Sequence, residues 1–314
     1  MIPFFISSLR YNVGTDYKNY ENMYQGIASG KIATRGFEVG ALLIYKVANI
    51  LGNSQYVFAI SAFLTLFFIF HAIEYVNKEY RTLVYFCYIF LYFPSSFNAI
   101  RQSLAMAIIF YGYKFLICKN IKKWCFTIML ATLFHSSAII CMPIYFLVTM
   151  RRQVIKLLII LIFFIMALNY QFFLDIISKK LPILAYYSSY AENNAQDSKN
   201  LLFFLHLIFL LLFFILRKPL LIRNKTNDIY LYLYAIAVIL LLTGFVNVFL
   251  KRIALYFQLF EILLLANIPS IFIRRDRLLV RGVIATYALL MFIVSAYVLR
   301  HADIIPYNFI GGSR

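Results

Sequence analysis

Apolar runs follow one another along this chain with only short polar breaks. Residues 56–73, 96–117, 154–173, 201–216, 229–249, 253–273 and 283–299 are each apolar over lengths near the roughly 20 residues that carry an α-helix across a bilayer. Three further runs are awkward. Residues 37–51 and 82–93 are short, the second stopping at Pro94, and 124–150 is interrupted by His135-Ser136-Ser137. Two stretches are not apolar. Residues 10–36 are polar and aromatic, with Asp16 placed to cap a short amphipathic helix that starts at Tyr17 and that Gly26, Ser29 and Gly30 would end. Residues 174–200 form the longest polar stretch and carry Tyr186, Tyr187 and Tyr190, which could guide a glycan or belong to an interfacial aromatic belt. The pattern predicts an all-α, polytopic membrane helical bundle of about ten or eleven transmembrane or re-entrant helices with an outward-facing polar site. It is read as a single integral membrane domain over 1–314, with 10–36 and 174–200 as external loops.

Composition agrees. The chain is 63% hydrophobic and 13% charged, where a soluble domain carries about 25% charged residues. Cys87, Cys118, Cys125 and Cys141 lie in or beside apolar runs without CxxC spacing, so neither a disulfide nor a zinc site is expected. The net charge of +18 would point to nucleic acid in a soluble protein, but here most of it falls between the spans. Four basic groups stand out: Lys119, Lys122 and Lys123; Arg151, Arg152 and Lys156; Arg217, Lys218, Arg223 and Lys225; and Arg274, Arg275, Arg277 and Arg281. All four belong in the cytoplasm by the positive-inside rule, and no nucleic-acid partner is expected.

That orientation makes a demand on the chain. Only residues 124–150 separate the first two basic groups, so both ends of this segment are cytoplasmic and it enters and returns as a hairpin near His135. Each half is about 13 residues, roughly 20 Å of helix against a hydrocarbon core of about 30 Å. A single ordinary span is the alternative. Parity fails again between residues 37 and 94, so either 37–51 or 82–93 does not cross.

The cations left outside need another explanation. Arg101 lies one turn into an apolar helix, beside Gln102, and either grips an anion such as a phosphate or snorkels to headgroups. Arg252 and Tyr256 share a helix face, with Glu261 further along, and read as an anion or sugar contact or as an interfacial helix end. Arg10, Asp16, Tyr17 and Tyr20 form a polar-aromatic cluster that suits a sugar, or a surface helix with a capping Asp. Glu38 opens an apolar helix and either suits its dipole or pairs with an arginine. His135 is a candidate general base or phosphate ligand, or a packing histidine. No P-loop, Gly-rich dinucleotide turn, HExxH or DxD element is present, which argues against an ATP-driven pump and a nucleotide-sugar glycosyltransferase.

Several motifs in order resemble one family. Arg10 with Val13-Gly14-Thr15-Asp16-Tyr17-Lys18-Asn19-Tyr20 resembles the "R…vGtDy..Y" start of EpsG/Wzy-type polysaccharide polymerases. Glu38-Val39-Gly40 resembles the following "E.G", and Ile100-Arg101-Gln102-Ser103-Leu104-Ala105-Met106-Ala107-Ile108 the "iRQ.lA.ai" helix. Ala131 with Phe134-His135-Ser136-Ser137-Ala138, then Arg252 and Tyr256, then Pro306-Tyr307-Asn308-Phe309 resemble the "A..fH.sal", "R…Y" and "PY.f" elements. The family has a full helix ahead of its first element, where this chain has Met1 to Leu9.

The resemblance implies a metal-independent enzyme of the bacterial plasma (inner) membrane. It would join a growing glycan on undecaprenyl diphosphate to a repeat unit on the same lipid, making O-antigen, capsule or exopolysaccharide, with no cofactor. Arg101, His135, Asp16 and Glu38 would be catalytic, and Arg10, Tyr17, Tyr20, Gln102, Arg252 and Tyr256 would bind substrate. Arginines suit the leaving diphosphate, and Asp16, Glu38 and His135 are candidate bases. Partners would be the lipid-linked donor and acceptor and membrane lipids, with a chain-length regulator as a further candidate. A lipid-linked sugar flippase and a membrane O-acyltransferase are the alternatives.

Overall fold

The structure is a computed structural model that describes residues 1–32, 37–150, 158, 161–162, 165, 169, 201–243 and 248–311. The expected span 154–173, apart from five positions, and the loop 174–200 with Tyr186, Tyr187 and Tyr190 lie outside the described residues, as does the basic group Arg151, Arg152 and Lys156. Among the described residues every regular element is helical, and the fold is all-α. Two compact units are formed, residues Met1–Met142 with Phe272–Arg314, and residues Pro143–Ile271. Among the described residues three helices are long and apolar enough to cross a membrane, Gln55–Ile73, Leu250–Ile271 and Arg277–Val298. A fourth would be Phe203–Ile215 with Arg217–Arg223, a pair bent by 64°.

The first unit starts with α1 (Ile2–Ser8), α2 (Tyr17–Ala28), α3 (Val39–Ile50), α4 (Gln55–Ile73), α5 (Lys78–Leu91), α6 (Ile100–Ile117) and α7 (Ile121–Thr132). The α2 helix begins at Tyr17 as expected and ends before Gly30, whose φ of +70° suits glycine. Asp16 occupies its N-cap position, but its side chain makes no capping hydrogen bond. The α5 helix begins four residues before the expected 82, because the Asn77 side chain accepts from Glu79 N–H at 3.2 Å and caps it. Residues Phe93–Phe97 form a 3₁₀ turn, with Pro94 at its head and Ser96 Oγ donating to Phe93 O at 2.6 Å. The α6 helix therefore starts at Ile100 rather than 96, and Arg101 is its second residue.

Contacts set the direction of these helices. At one end, the Gln55 amide at the head of α4 donates to the carbonyls of Ser8 and Arg10, and Arg10 bonds Phe97 just before α6. At the other end, Tyr113 donates to Ala72 O at 3.4 Å and Lys114 Nζ bonds Tyr75 Oη at 2.7 Å. So α4 and α6 run parallel, and α5 returns between them in sequence. The last helix of this unit, Arg277–Ile293, continues as a π turn over Val294–Val298 and lies beside α5 in the same direction. Glu79 meets Arg277 and Arg281 at its start, and the Phe90 and Phe292 rings lie 5.6 Å apart near its end. Lys119, Lys122, Lys123, Arg277 and Arg281 therefore share one end of the unit, and Arg10, Asp16, Glu38, Arg101 and His135 share the other.

Both parity problems have structural answers. The α3 helix has both termini at the Arg10 end. Glu38 at its start meets Arg101 and Ser136, Tyr45 in its middle bonds Met23 of α2, and its last residue is five short of Gln55. Segment 37–51 is thus the one that does not cross. After α7 the chain turns at Leu133–His135 and comes back as a 3₁₀ helix, Ser136–Cys141, packed on α7. Trp124, near the start of α7, donates its indole N–H to Met142 O at 3.4 Å, so the return leg reaches the level where α7 began. This is the hairpin geometry expected around His135.

The second unit contains α8 (Ile144–Thr149), α9 (Leu201–Ile215), α10 (Arg217–Arg223), α11 (Asn227–Thr243), α12 (Val248–Gln258) and α13 (Phe260–Asn267). With it counted, the helix Arg277–Ile293 of the first unit is α14. Asn227 ties the unit together, donating to Leu220 O at 3.0 Å and accepting from Asn267 at 2.8 Å.

The charge separation in the first unit has a direct test. With Cys118 and Cys125 changed to Ser, a cysteine placed at the exposed position Asn19 is expected to react with a membrane-impermeant maleimide on intact cells, and one at the exposed Lys122 only after the cells are opened. Reaction of both from the same side would overturn the orientation.

Candidate functional site

Three elements that are distant in sequence converge on one carboxylate. Glu38 stands at the N-cap of α3, where the helix dipole favours an acid. Its Oε2 is 2.7 Å from Arg101 Nη1, at the second residue of α6. Its Oε1 accepts from Ser136 N–H at 3.3 Å and Ser136 Oγ at 3.4 Å, and lies 3.6 Å from His135 Nδ1, both on the turn after α7. The guanidinium of Arg101 also lies over the Phe37 ring at 5.6 Å. Side-chain exposures are 28% for Arg101, 20% for His135 and 14% for Glu38, so a cation and an imidazole are held at a surface still open on one side. Of the four residues expected to be catalytic, three are brought into one cluster.

The close fit of α3 on the α7 turn explains the glycine two residues after Glu38. Gly40 N–H donates to Leu133 O at 2.8 Å, and a Cβ at Gly40 would sit 2.9 Å from that oxygen and 2.9 Å from the Phe134 ring. Without glycine, α3 could not lie this close, and Glu38 could not reach both partners.

The cluster expected to bind sugar is built differently. Arg10 has no solvent exposure, its Nη1 donates to Phe97 O at 2.7 Å, and its guanidinium is sandwiched between the Phe58 ring at 4.5 Å and the Phe97 ring at 4.7 Å. Burial lowers its pKa to about 10, so it stays charged at neutral pH. Tyr17 stacks on Phe58 at 4.7 Å and donates to Gln55 Oε1 at 3.3 Å. Tyr20 bonds the backbone of Asn98 and Ile100, and burial, with the Asp16 charge adding to it, pushes its hydroxyl up to about 12. In place of open stacking faces, both tyrosine rings are buried against the protein's own aromatics. The periodicity of 17–28 showed an amphipathic helix but not which face α4 and α6 cover. Asp16 remains half-exposed beside them.

The C-terminal "PY.f" element closes over this cluster. Phe309 forms an isolated antiparallel bridge with Arg10, with Tyr11 N–H on Asn308 O at 2.8 Å and Ile310 N–H on Leu9 O at 2.9 Å. Gly14 N–H donates to Asp303 O at 3.2 Å, and the Tyr307 hydroxyl bonds Ile6 O. The first and last motifs thus form a single piece of structure. Gln102 is buried within α6.

Residues 1–309 match the model of the EpsG family. The chain belongs to the EpsG family. Membership brings a polysaccharide polymerase-type function in a membrane protein, and the EpsG motifs from Arg10 to His135, with the C-terminal one, all fall at one end of the first unit. No curated protein and no solved structure matches the chain.

Arg252 and Tyr256 belong to the second unit, the arginine exposed and the tyrosine buried. That unit also carries a polar group that the sequence reading passed over. His206 Nδ1 lies 2.9 Å from Tyr234 Oη and 3.4 Å from Glu261 Oε2, and its Nε2 is 3.4 Å from Gln258 Nε2. The available signal was a histidine within LLFFLHLIFLLLFFI, since an ionisable side chain in such a run needs a partner. Gln55, a polar residue at the head of an apolar span, was missed in the same way.

Gly40→Ala is expected to lower the unfolding midpoint of the purified protein, at an overpacking cost of about 1–3 kcal/mol. Gly282→Ala, in α14 where a Cβ would meet nothing within 4 Å, serves as the control and is expected to be neutral or slightly stabilising in the same thermal scan.

Proposed function

We propose that this EpsG-family chain joins undecaprenyl-diphosphate-linked oligosaccharide repeat units into a surface polysaccharide on the outer face of the bacterial plasma membrane. The observation that carries the reading is the Arg101–Glu38–His135 cluster, at the end of the first unit opposite its basic loops. In the reaction, a hydroxyl of the acceptor repeat unit attacks the anomeric carbon of the donor glycan. The new glycosidic C–O bond forms as the bond from that carbon to the diphosphate breaks, and undecaprenyl diphosphate leaves with the electron pair. The hydroxyl proton passes to a base.

Each step has a residue suited to it. Arg101 supplies a planar fork of donors for the developing diphosphate charge. One nitrogen, Nη1, rests on Glu38, and the side chain is partly exposed. His135 is the base this reading favours, because a carboxylate facing Nδ1 orients the imidazole and stabilises it when protonated. The 3.6 Å separation is beyond hydrogen-bond reach, and such contacts tighten when substrate is bound. Glu38 positions both groups. Asp16, half-exposed at this end, is proposed to meet the acceptor glycan, and Arg252 with Tyr256 in the second unit is proposed as a second anion contact. The donor and acceptor lipids and any chain-length regulator are partners on the same reading.

Deleting the gene is expected to leave surface glycans carrying one repeat unit, with no ladder on a gel. Arg101→Lys keeps the charge but loses the fork, and is expected to cut polymerisation by about 100-fold, the scale of removing one transition-state donor. A deletion strain with a normal ladder would refute the function. A normal ladder in Arg101→Lys alone would remove Arg101 from the diphosphate.

A further inference from the structure

The residues of the first motif converge on one short stretch of backbone. Arg10 Nη1 donates to Phe97 O at 2.7 Å. The Tyr20 hydroxyl donates to Asn98 O and accepts from Ile100 N–H at 3.2 Å. Gly14, at φ +100°, lies so close beneath this stretch that a Cβ would be 2.7 Å from Asn98 Oδ1 and 3.2 Å from Phe97 O. The next residue after these contacts is Arg101.

The reason that stretch needs holding lies in its own sequence. The first N–H groups of a helix have no partner within it, and a Ser, Thr, Asp or Asn at the N-cap normally accepts from them. The N-cap of α6 is Ala99, which has no acceptor to offer, and no side-chain capping bond is made there. The phenol oxygen of Tyr20, from a different helix, supplies the acceptor for Ile100 N–H. The carbonyls of Phe97 and Asn98 find their donors in Arg10 and Tyr20. Arg10 is itself held between two rings and beneath the C-terminal strap, so it does not move independently of this turn.

We infer that Arg10, Gly14 and Tyr20 are positioning residues, a clamp on the 97–100 turn that aims Arg101 at the substrate, and that they do not themselves touch the glycan. The inference rests on the reading of Arg101 as the group acting on the lipid diphosphate. It turns the most recognisable motif of the chain from a binding surface into the mount of a catalytic helix. Arg10 is then a cation whose charge serves a backbone carbonyl and two aromatic faces, with its Nε and Nη2 buried and unbonded among the described residues.

Tyr20→Phe removes only the hydroxyl and tests this. Amide hydrogen exchange over residues 97–103 of the purified protein is expected to quicken by about 10-fold. Polymerisation of purified lipid-linked repeat units is expected to lose about 10-fold in kcat with KM within twofold, the pattern of a lost transition-state alignment. Adding Ala99→Ser, which places a capping oxygen within the chain, is expected to restore much of both; a lost sugar contact would gain nothing from it. Unchanged exchange, or a raised KM with kcat kept, overturns the inference. Quickened exchange with full polymerisation also overturns it, and an intact ladder in Arg101→Lys would then place the fault in the role of Arg101 and not in the clamp. Should Tyr20→Phe not fold, Gly14→Ala meets the same turn and is judged by the same exchange and kinetic readouts.

Discussion

The Glu38 carboxylate is the counter-charge around which one end of the first unit is arranged. An arginine at the second position of an apolar helix is costly in a membrane protein unless it is solvated or paired, and Arg101 finds its partner 63 residues away in sequence at 2.7 Å. For that carboxylate to be in place, α3 has to start at this end and stay there. The turn after α7 has to bring Ser136 and His135 to its other oxygen. The two departures from regular crossing, a helix that does not span and a hairpin that turns back, are the means by which one anion reaches a cation, an amide and an imidazole. Irregular backbone at this depth is tolerated where protein surrounds it, and Gly40 packed on Leu133 and Phe134 provides those surroundings.

Arg10 solves the same problem in the opposite way. No carboxylate approaches it among the described residues; its charge is met by a carbonyl and two aromatic faces, and it has no exposed surface. A guanidinium held like that is part of the frame, because moving it would leave a buried carbonyl and two rings without their partner. Arg101, 28% exposed and bonded through Nη1 to one carboxylate oxygen, can change partners. Both arginines were read from sequence as substrate groups, and what separates them in the structure is what covers them.

That difference sets how far the sequence could be read. The span 56–73 was legible because length and apolarity alone decide it, and the structure gives Gln55–Ile73. The hairpin at His135 and a non-crossing segment before Pro94 were legible because charge parity favoured them, although parity alone left one ordinary span open for 124–150 and did not choose between 37–51 and 82–93. The start of α6 was not, since Pro94 and Ser96 favour a 3₁₀ turn whose side-chain bond no periodicity reveals. The burial of Tyr17 and Tyr20 was hidden for a similar reason: an amphipathic pattern shows that one face is covered without saying by what, and their partners are Phe58, Gln55 and backbone atoms some 80 residues on. Motif order identified the family correctly, but it could not tell residues that touch substrate from residues that hold those that do.

The resting pair between Arg101 and Glu38 bears on the proposed reaction. A carboxylate bonded to guanidinium Nη1 imitates, in charge and geometry, one oxygen of a phosphate. On the proposed function, an arriving diphosphate would compete with Glu38 for Arg101 instead of filling an empty site. Were the pair fully buried, separating it would leave an uncompensated charge at a cost of several kcal/mol; partial exposure lowers that cost. Once Arg101 turned to the diphosphate, Glu38 would be left facing the His135 imidazole, 3.6 Å away, and Ser136. On this reading, the carboxylate that holds Arg101 also faces the base, so that the group meant for the leaving diphosphate and the group meant for the attacking hydroxyl are set from one anchor.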